Sequence, residues 1–324
     1  MPAIDKIDFF IMGSERSGTT VTGATMDSMP DVCAVQATMV MTRLFNLFSL
    51  VQRVLAQGGE FEGVDKRHCD DFETFLAKVP VTPFLHKSFY QFCFYENLVF
   101  SSRSDVTKDV LSQKTYVEAF DYDRYMAAYD PANPTWARTV AAMYAEFAAF
   151  VGADATVFGE QTPDNALRAR AIMTIFPDAK FIFMVRHPVT AIASLMDRYS
   201  NMDYATKLYR NPFAHFPFDD QEIMDATLFV KFEDMLLNRD LILKQVRDHL
   251  GLPEIDLAGE GEGHESKVFS KYVGSSLSMD RYYRSVSKYP IALRAEILQK
   301  NQDIAKVFYT EDDNRIIVGH QAAA

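Results

Sequence analysis

Eight consecutive residues near the start of the chain, Gly13-Ser14-Glu15-Arg16-Ser17-Gly18-Thr19-Thr20, bring together two glycines, a cation and four hydroxyls. They follow an apolar run, Ile7 to Met12, and an apolar-periodic helix is expected to begin near Thr19. Strand, glycine-flanked turn and helix aim backbone N–H groups and the helix dipole at one spot, which suits an anion. Gly13 and Gly18 have the spacing of the triphosphatase loop G-x-x-x-x-G-K-[ST], but Thr19 stands where that loop carries Lys. Without that Lys, the group a triphosphatase sets against the β- and γ-phosphates is missing. The cation sits inside the loop instead, as Arg16. From there a guanidinium can place fixed N–H donors on a bridging oxygen whose charge grows as a bond breaks. Ser17, Thr19 and Thr20 add hydroxyl donors without another charge.

A second constellation lies further along. The run Lys180 to Val185 ends in Arg186-His187-Pro188, and Val189 to Tyr199 has helical periodicity, with Pro188 suited to the first helical position. Arg186 at a strand end and Ser194, eight positions later, are placed to hold a second phosphate away from the first loop. No His, Cys, Asp and Glu cluster has metal-ligand spacing, so no metal is expected.

Taken together, these residues resemble the sulfotransferases that use 3′-phosphoadenosine 5′-phosphosulfate (PAPS), in their bacterial small-molecule form. Gly13 to Thr20 is similar to that family's 5′-phosphosulfate loop, G-x-x-R-S-G-T-T, and the likeness continues through Met26-Asp27-Ser28-Met29-Pro30-Asp31-Val32. Arg186 with Ser194 resembles the family's 3′-phosphate motif. Gly159-Glu160-Gln161-Thr162-Pro163, Phe176-Pro177-Asp178-Ala179-Lys180 and Val230-Lys231-Phe232-Glu233-Asp234 add to the likeness, which concentrates in residues 7–32 and 157–252. The resemblance implies a P-loop-like sulfotransferase fold. It also implies sulfuryl transfer from PAPS to a hydroxyl or amine of a small, specialised-metabolite acceptor, releasing 3′-phosphoadenosine 5′-phosphate (PAP). Donor contacts would come from Ser14, Arg16, Ser17, Gly18, Thr19, Thr20, Arg186 and Ser194. Residues 267–289 resemble the loop that closes over the nucleotide, which adds Lys271, Ser276 and Arg281.

Sulfuryl transfer needs an in-line acceptor, stabilisation of the leaving oxygen and often a base. Arg16 is expected to stabilise the leaving group. The base is open. Relatives place a Glu shortly after the Pro-Asp-Val turn, where this chain reads Ala34-Val35-Gln36-Ala37, and they tend to carry Lys in place of Gln161. Gln161 can orient a hydroxyl but accepts no proton at neutral pH. Glu160, at a strand end, is the first candidate base, with His86 and His68 behind it. The two glutamines also keep open a PAP- or PAPS-binding protein with lost or altered catalysis. An NTP-dependent kinase or GTPase is a third possibility, opposed by the missing Lys.

Positioning these residues requires a sheet. Ile7 to Met12, Thr156 to Gly159, Lys180 to Val185 and Thr227 to Phe232 are short apolar, aromatic and β-branched runs, as expected of parallel strands covered on both faces. Helical stretches at Arg138 to Val151, Asn165 to Ile175 and Val189 to Tyr199 alternate with them. This pattern predicts an α/β fold, a parallel central sheet flanked by helices, with the site at the strands' C-terminal ends. Residues 35–134 are rich in aromatics with helical periodicity, and are expected to form a helical layer or lid on the acceptor side. One domain over residues 1–324 is expected.

Composition narrows the partners. The chain has 48% hydrophobic and 24% charged residues and a net charge of −11. A surface that acidic is unsuited to nucleic acid or a sulfated polysaccharide, and points to a small neutral or cationic acceptor. Nothing approaches the roughly 20 apolar residues of a membrane span, and the N-terminus lacks a signal-peptide pattern, so no membrane and a cytoplasmic address are expected. Cys33, Cys69 and Cys93 are too scattered for a zinc or disulfide framework and are read as reduced thiols. A homodimer is compatible with this composition.

Overall fold

The computed structural model of the chain describes residues 6–36, 38–61, 63–103, 121–151, 155–254 and 279–320. Five parallel strands form one sheet in the order β2-β3-β1-β4-β5. They are β1 Phe9–Gly13, β2 Val32–Gln36, β3 Val157–Gln161, β4 Lys180–Val185 and β5 Thr227–Lys231. The apolar runs form strands because neighbouring side chains go to opposite faces and both faces are covered. Phe10, Met12, Phe181 and Phe183 join one buried cluster, while Phe9, Ile11, Ile182 and Met184 join another. Helices flank the sheet as the alternation predicts.

The strand order places the chemistry. β1 is central and pairs with both β3 and β4. Since all pairings are parallel, the residues after Gly13, Gln161, Val185 and Lys231 emerge along one edge. The chain turns to one side of β1 for β2 and β3 and to the other for β4 and β5, the arrangement that opens a crevice beside the central strand.

Three sequence expectations need correction. Val32–Gln36 is a fifth strand, paired with β3 from Val32↔Val157 to Gln36↔Gln161. The expected helical layer therefore starts not at residue 35 but at α2, Val40–Ala56. Five residues are too few to show a period, and their partner lies over a hundred residues away, so the pairing is decided by tertiary contact. The strand expected at residues 156–159 runs to Gln161, which puts Glu160 and Gln161 inside it. Finally, the helix expected from Asn165 opens as a 3₁₀ turn, Pro163–Arg168, and becomes α-helical only at Ala169–Ile175.

The aromatic middle segment is helical as expected, with α2 followed by Phe72–Lys78, Pro83–Arg103, Tyr122–Ala127 and Trp136–Val151. Their buried residues share a cluster with Phe10 and Phe181 on one face of the sheet. Beyond β4, Pro188–Tyr199, Met202–His215 and the C-terminal helices contribute a third cluster, including Ile192, Tyr209 and Val286. Cys33, Cys69 and Cys93 are buried free thiols. Among the described residues no helix is long and apolar enough to cross a membrane.

Candidate functional site

The first loop joins β1 to the helix α1, Thr19–Asp27. Gly13 (φ 140°) and Gly18 (φ 94°) both occupy the left-handed half of backbone space. At Gly18 the requirement is also spatial, since a Cβ there would run into the ring of Phe232. No side chain caps α1, so the helix start presents its dipole to the loop without a built-in acceptor. Arg16 is left-handed as well (φ 66°), a conformation that costs a non-glycine residue on the order of 1 kcal/mol or more. Such strain persists only where neighbours hold it, and two contacts do so here. Arg16 Nε donates to Ser194 Oγ at 3.1 Å, and the Arg16 carbonyl accepts from Arg186 at 2.8 Å.

Not every hydroxyl of the loop faces a ligand. Ser14 Oγ donates to the Tyr209 carbonyl at 2.6 Å, and Ser17 Oγ donates to the Ser14 carbonyl at 2.6 Å. Both serines are fully buried and brace the turn, leaving their backbone for an anion. Thr19 is buried at the helix start, and Thr20 is half-buried. Tyr209 had no signal in the sequence, yet it supports both loops: its hydroxyl donates to the Arg186 carbonyl at 3.0 Å.

Arg186 lies at the end of β4 in a buried setting. Its Nε donates to Thr190 Oγ1 at 3.1 Å, and its guanidinium carbon sits 5.1 Å from the Phe232 ring centre and 5.0 Å from that of Tyr282. Burial pulls its pKa down from the usual arginine value; Tyr282 and Glu233 push it up, and the charge of Arg16 pulls it down further. Arginine nonetheless stays protonated, so two guanidiniums repel one another at this edge. Both hydrogen bonds that the Arg186 guanidinium donates among the described residues go to neutral oxygens. An anion between the cations would relieve their repulsion.

On the other side of β1, Glu160 is fully buried within hydrogen bonds. Thr38 Oγ1 donates to Oε1 at 2.7 Å, Thr162 Oγ1 donates to the same oxygen, and Asn165 Nδ2 donates to Oε2. Burial raises its pKa to about 7, against the lowering effect of those donors. The Tyr144 hydroxyl is buried nearby, beside Thr38, and its ionisation is disfavoured first by burial and then by the charge of Glu160. The Oε1 of Gln161 is buried and without a hydrogen-bond partner among the described residues.

His86 and His68, the other two candidate bases, lie elsewhere. His86 is buried in the helical layer, with Nδ1 3.1 Å from Thr139 Oγ1 and Nε2 3.2 Å from the Tyr125 carbonyl, and its ring stacks on Tyr125. Burial lowers its pKa, and both ring nitrogens are engaged. His68 closes a short 3₁₀ helix, Lys66–His68, that packs beside Phe72–Lys78, away from the sheet edge. Lys271 and Ser276 lie outside the described residues, and so does the side chain of Arg281, whose backbone belongs to the helix Met279–Ser287. Sequence reasoning missed Thr38, Asn165, Thr190, Tyr209 and Tyr282. Only Thr190, one turn beyond Arg186 on a predicted helix, carried a usable signal.

A parallel sheet with an arginine-bearing glycine loop after its central strand, and a second arginine after the strand beside it, defines an α/β protein with two arginines at one end of its sheet. A model of the sulfotransferase family matches residues 8–256. The chain belongs to that family. Among solved structures it is similar to the sulfotransferase domain from the Synechococcus olefin synthase, at 16% identity over 93% of this chain and 96% of that one, with a TM-score of 0.45. The sulfotransferase domain from the curacin biosynthetic pathway aligns at 13% identity over 92% and 98%, with a TM-score of 0.45. A sulfotransferase from Alicyclobacillus acidocaldarius aligns at 11% identity over 96% and 99%, with a TM-score of 0.41. No curated protein matches the chain.

Proposed function

We propose that this sulfotransferase moves a sulfuryl group from PAPS to a hydroxyl or amine of a small acceptor, releasing PAP. One observation carries the reading: the two anion motifs, far apart in sequence, meet through Arg16 with Ser194 at 3.1 Å and Arg186 with the Arg16 carbonyl at 2.8 Å. Two cations so close suit a nucleotide with separate phosphate groups better than a single anion. When bound, the donor supplies an activated sulfuryl group on a phosphate oxygen. Arg16, at the loop's exposed tip, stabilises the charge that grows on the leaving oxygen, with the start of α1 adding its dipole. Arg186 and Ser194 hold the 3′-phosphate. Thr19 and Thr20 line the helix start, and the family resemblance adds Lys271, Ser276 and Arg281 as further donor contacts.

Glu160 is the base we favour. A pKa near 7 suits a proton acceptor at neutral pH. Its carboxylate is reached through the hydroxyls of Thr38 and Thr162, which donate to it; the Thr162 oxygen also accepts the Met39 N–H and keeps one lone pair for an acceptor's proton. Gln161 orients the acceptor with its unfilled Oε1. The acidic chain and the aromatic helices between β2 and β3 favour a neutral or cationic metabolite with apolar surface. The test is direct: purified protein, PAPS and an acceptor panel are incubated, and PAP and sulfated product are followed by mass spectrometry. Calorimetric titration with PAP accompanies it. Absence of PAP affinity removes the reading; tight PAP binding without turnover on any acceptor favours a binding protein instead.

A further inference from the structure

We propose that Tyr282 and Glu233 are positioning residues for the second anion pocket, holding the Arg186 guanidinium in the attitude that grips a 3′-phosphate. The proposal rests on the reading that Arg186 holds that phosphate. The Arg186 guanidinium donates two hydrogen bonds among the described residues, to Thr190 Oγ1 and to the Arg16 carbonyl. Two bonds out of five N–H donors leave the plane of a guanidinium free to rock about them. The rest of its surface is set by aromatic faces, Phe232 on one side and Tyr282 on the other, with centroids 5.1 and 5.0 Å from Cζ. A ring at that distance orients a cation only as well as the ring is itself held.

Tyr282 is held at its hydroxyl, which donates to Glu233 Oε1 and lies 3.1 Å from Thr190 Oγ1. Glu233 in turn accepts the His187 backbone N–H at 3.0 Å and the Tyr309 hydroxyl at 2.8 Å. The contacts close a circuit, from the Arg186 side chain through Thr190, Tyr282 and Glu233 to the backbone of the next residue, His187. Phe232 and Glu233 are neighbours at the end of β5, so one dipeptide supplies both a ring face and the carboxylate. A carboxyl group accepting from three donors resists reorientation far better than a hydroxyl pair would. A tie meant only to hold the C-terminal helix to the sheet would have no reason to close on Arg186 from both its side chain and its backbone.

The test measures selectivity for the 3′-phosphate, which a general loss of stability does not change. The full chain is titrated calorimetrically with PAP and with adenosine 5′-monophosphate, which lacks that phosphate. Arg186→Ala is expected to abolish the preference for PAP. Tyr282→Leu is expected to lower the preference about tenfold, in line with the strength of a desolvated cation–π contact, while 5′-monophosphate affinity stays within about twofold. Tyr282→Phe keeps the ring but frees it from Glu233, and Glu233→Gln weakens the same bond; each should lower the preference about threefold. Equal weakening of both nucleotides in Tyr282→Leu, Tyr282→Phe and Glu233→Gln, or no change in the preference, overturns the proposal. If Arg186→Ala itself leaves the preference intact, the underlying assignment of the 3′-phosphate fails and the proposal falls with it.

Discussion

Nη1 of Arg186 donates to the carbonyl oxygen of Arg16 across 2.8 Å, so the cation after β4 holds the backbone of the glycine loop after β1. The two residues are 170 positions apart and meet because β4 pairs directly with β1, Gly13 lying opposite Met184. A carbonyl turned toward a guanidinium explains how Arg16 keeps its left-handed backbone. Its side chain then points to Ser194 and the sheet edge.

Removing that side chain should affect the reaction more than the fold. Arg16 is exposed, so Arg16→Ala leaves no buried cavity. If it stabilises the leaving oxygen, kcat falls by about 10²–10³-fold, the range seen when one transition-state donor is deleted. The acceptor KM should move by less than about threefold, since an interaction made only in the transition state does not alter ground-state binding. Steady-state release of PAP measures both. A large rise in acceptor KM with kcat preserved would assign Arg16 to binding instead.

Gly18→Ala combines two penalties. A left-handed backbone costs an alanine roughly 1 kcal/mol, and the new methyl group meets the Phe232 ring. Urea unfolding should show a loss of about 2–3 kcal/mol. Adding Phe232→Leu to the same chain relieves the collision but not the backbone strain, so only part of the loss returns. Full recovery would mean that the conformation at Gly18 is not strained.

The legible parts of this protein were those written in local strings. The first loop and the Arg186-His187-Pro188 turn each carry their chemistry within a few residues, and the apolar runs before them suffice to make them strand ends. β2 was not legible, because Val32–Gln36 becomes a strand only by pairing with Val157–Gln161. The cage around Glu160 was half legible. Its carboxylate, Thr162 and Asn165 are close in sequence, but Thr38 arrives from the far side of the aromatic helices. The direction of the Ser14 hydroxyl was not legible for a similar reason: it turns inward because Tyr209 presents a carbonyl there, 195 positions away.

His86 separates structural from chemical importance. Its two nitrogens join Thr139 on one helix to the Tyr125 carbonyl on another. His86→Ala leaves the buried Thr139 hydroxyl without this partner, while the Tyr125 carbonyl keeps the Ala128 N–H, with an expected loss of about 1–3 kcal/mol in chemical unfolding. At a temperature where the variant is still folded, kcat and its pH profile should match the parent chain. A lost pH limb in this variant would restore His86 as the base.

Glu160 should make stability and activity respond to pH in opposite directions. Its pKa is raised from 4.5 to about 7 in the folded chain by burial. Between these values the unfolded chain has released the proton and the folded chain retains it, so unfolding free energy declines as pH rises. A shift of this size corresponds to about 3 kcal/mol, present below the unfolded value and lost once pH passes the folded one. Urea midpoints at pH 5, 6, 7 and 8 should therefore fall for the parent chain relative to Glu160→Gln, which carries no titrating group at that position. The deprotonated form is the one able to accept a proton, so kcat of the parent should rise through about pH 7 while its stability declines. In Glu160→Gln the rise disappears together with the extra stability slope, because one carboxyl group is responsible for both. A parent chain whose midpoints are as flat as the variant's would show that Glu160 is ionised well below neutrality, and the relay through Thr38 and Thr162 would lose its driving force.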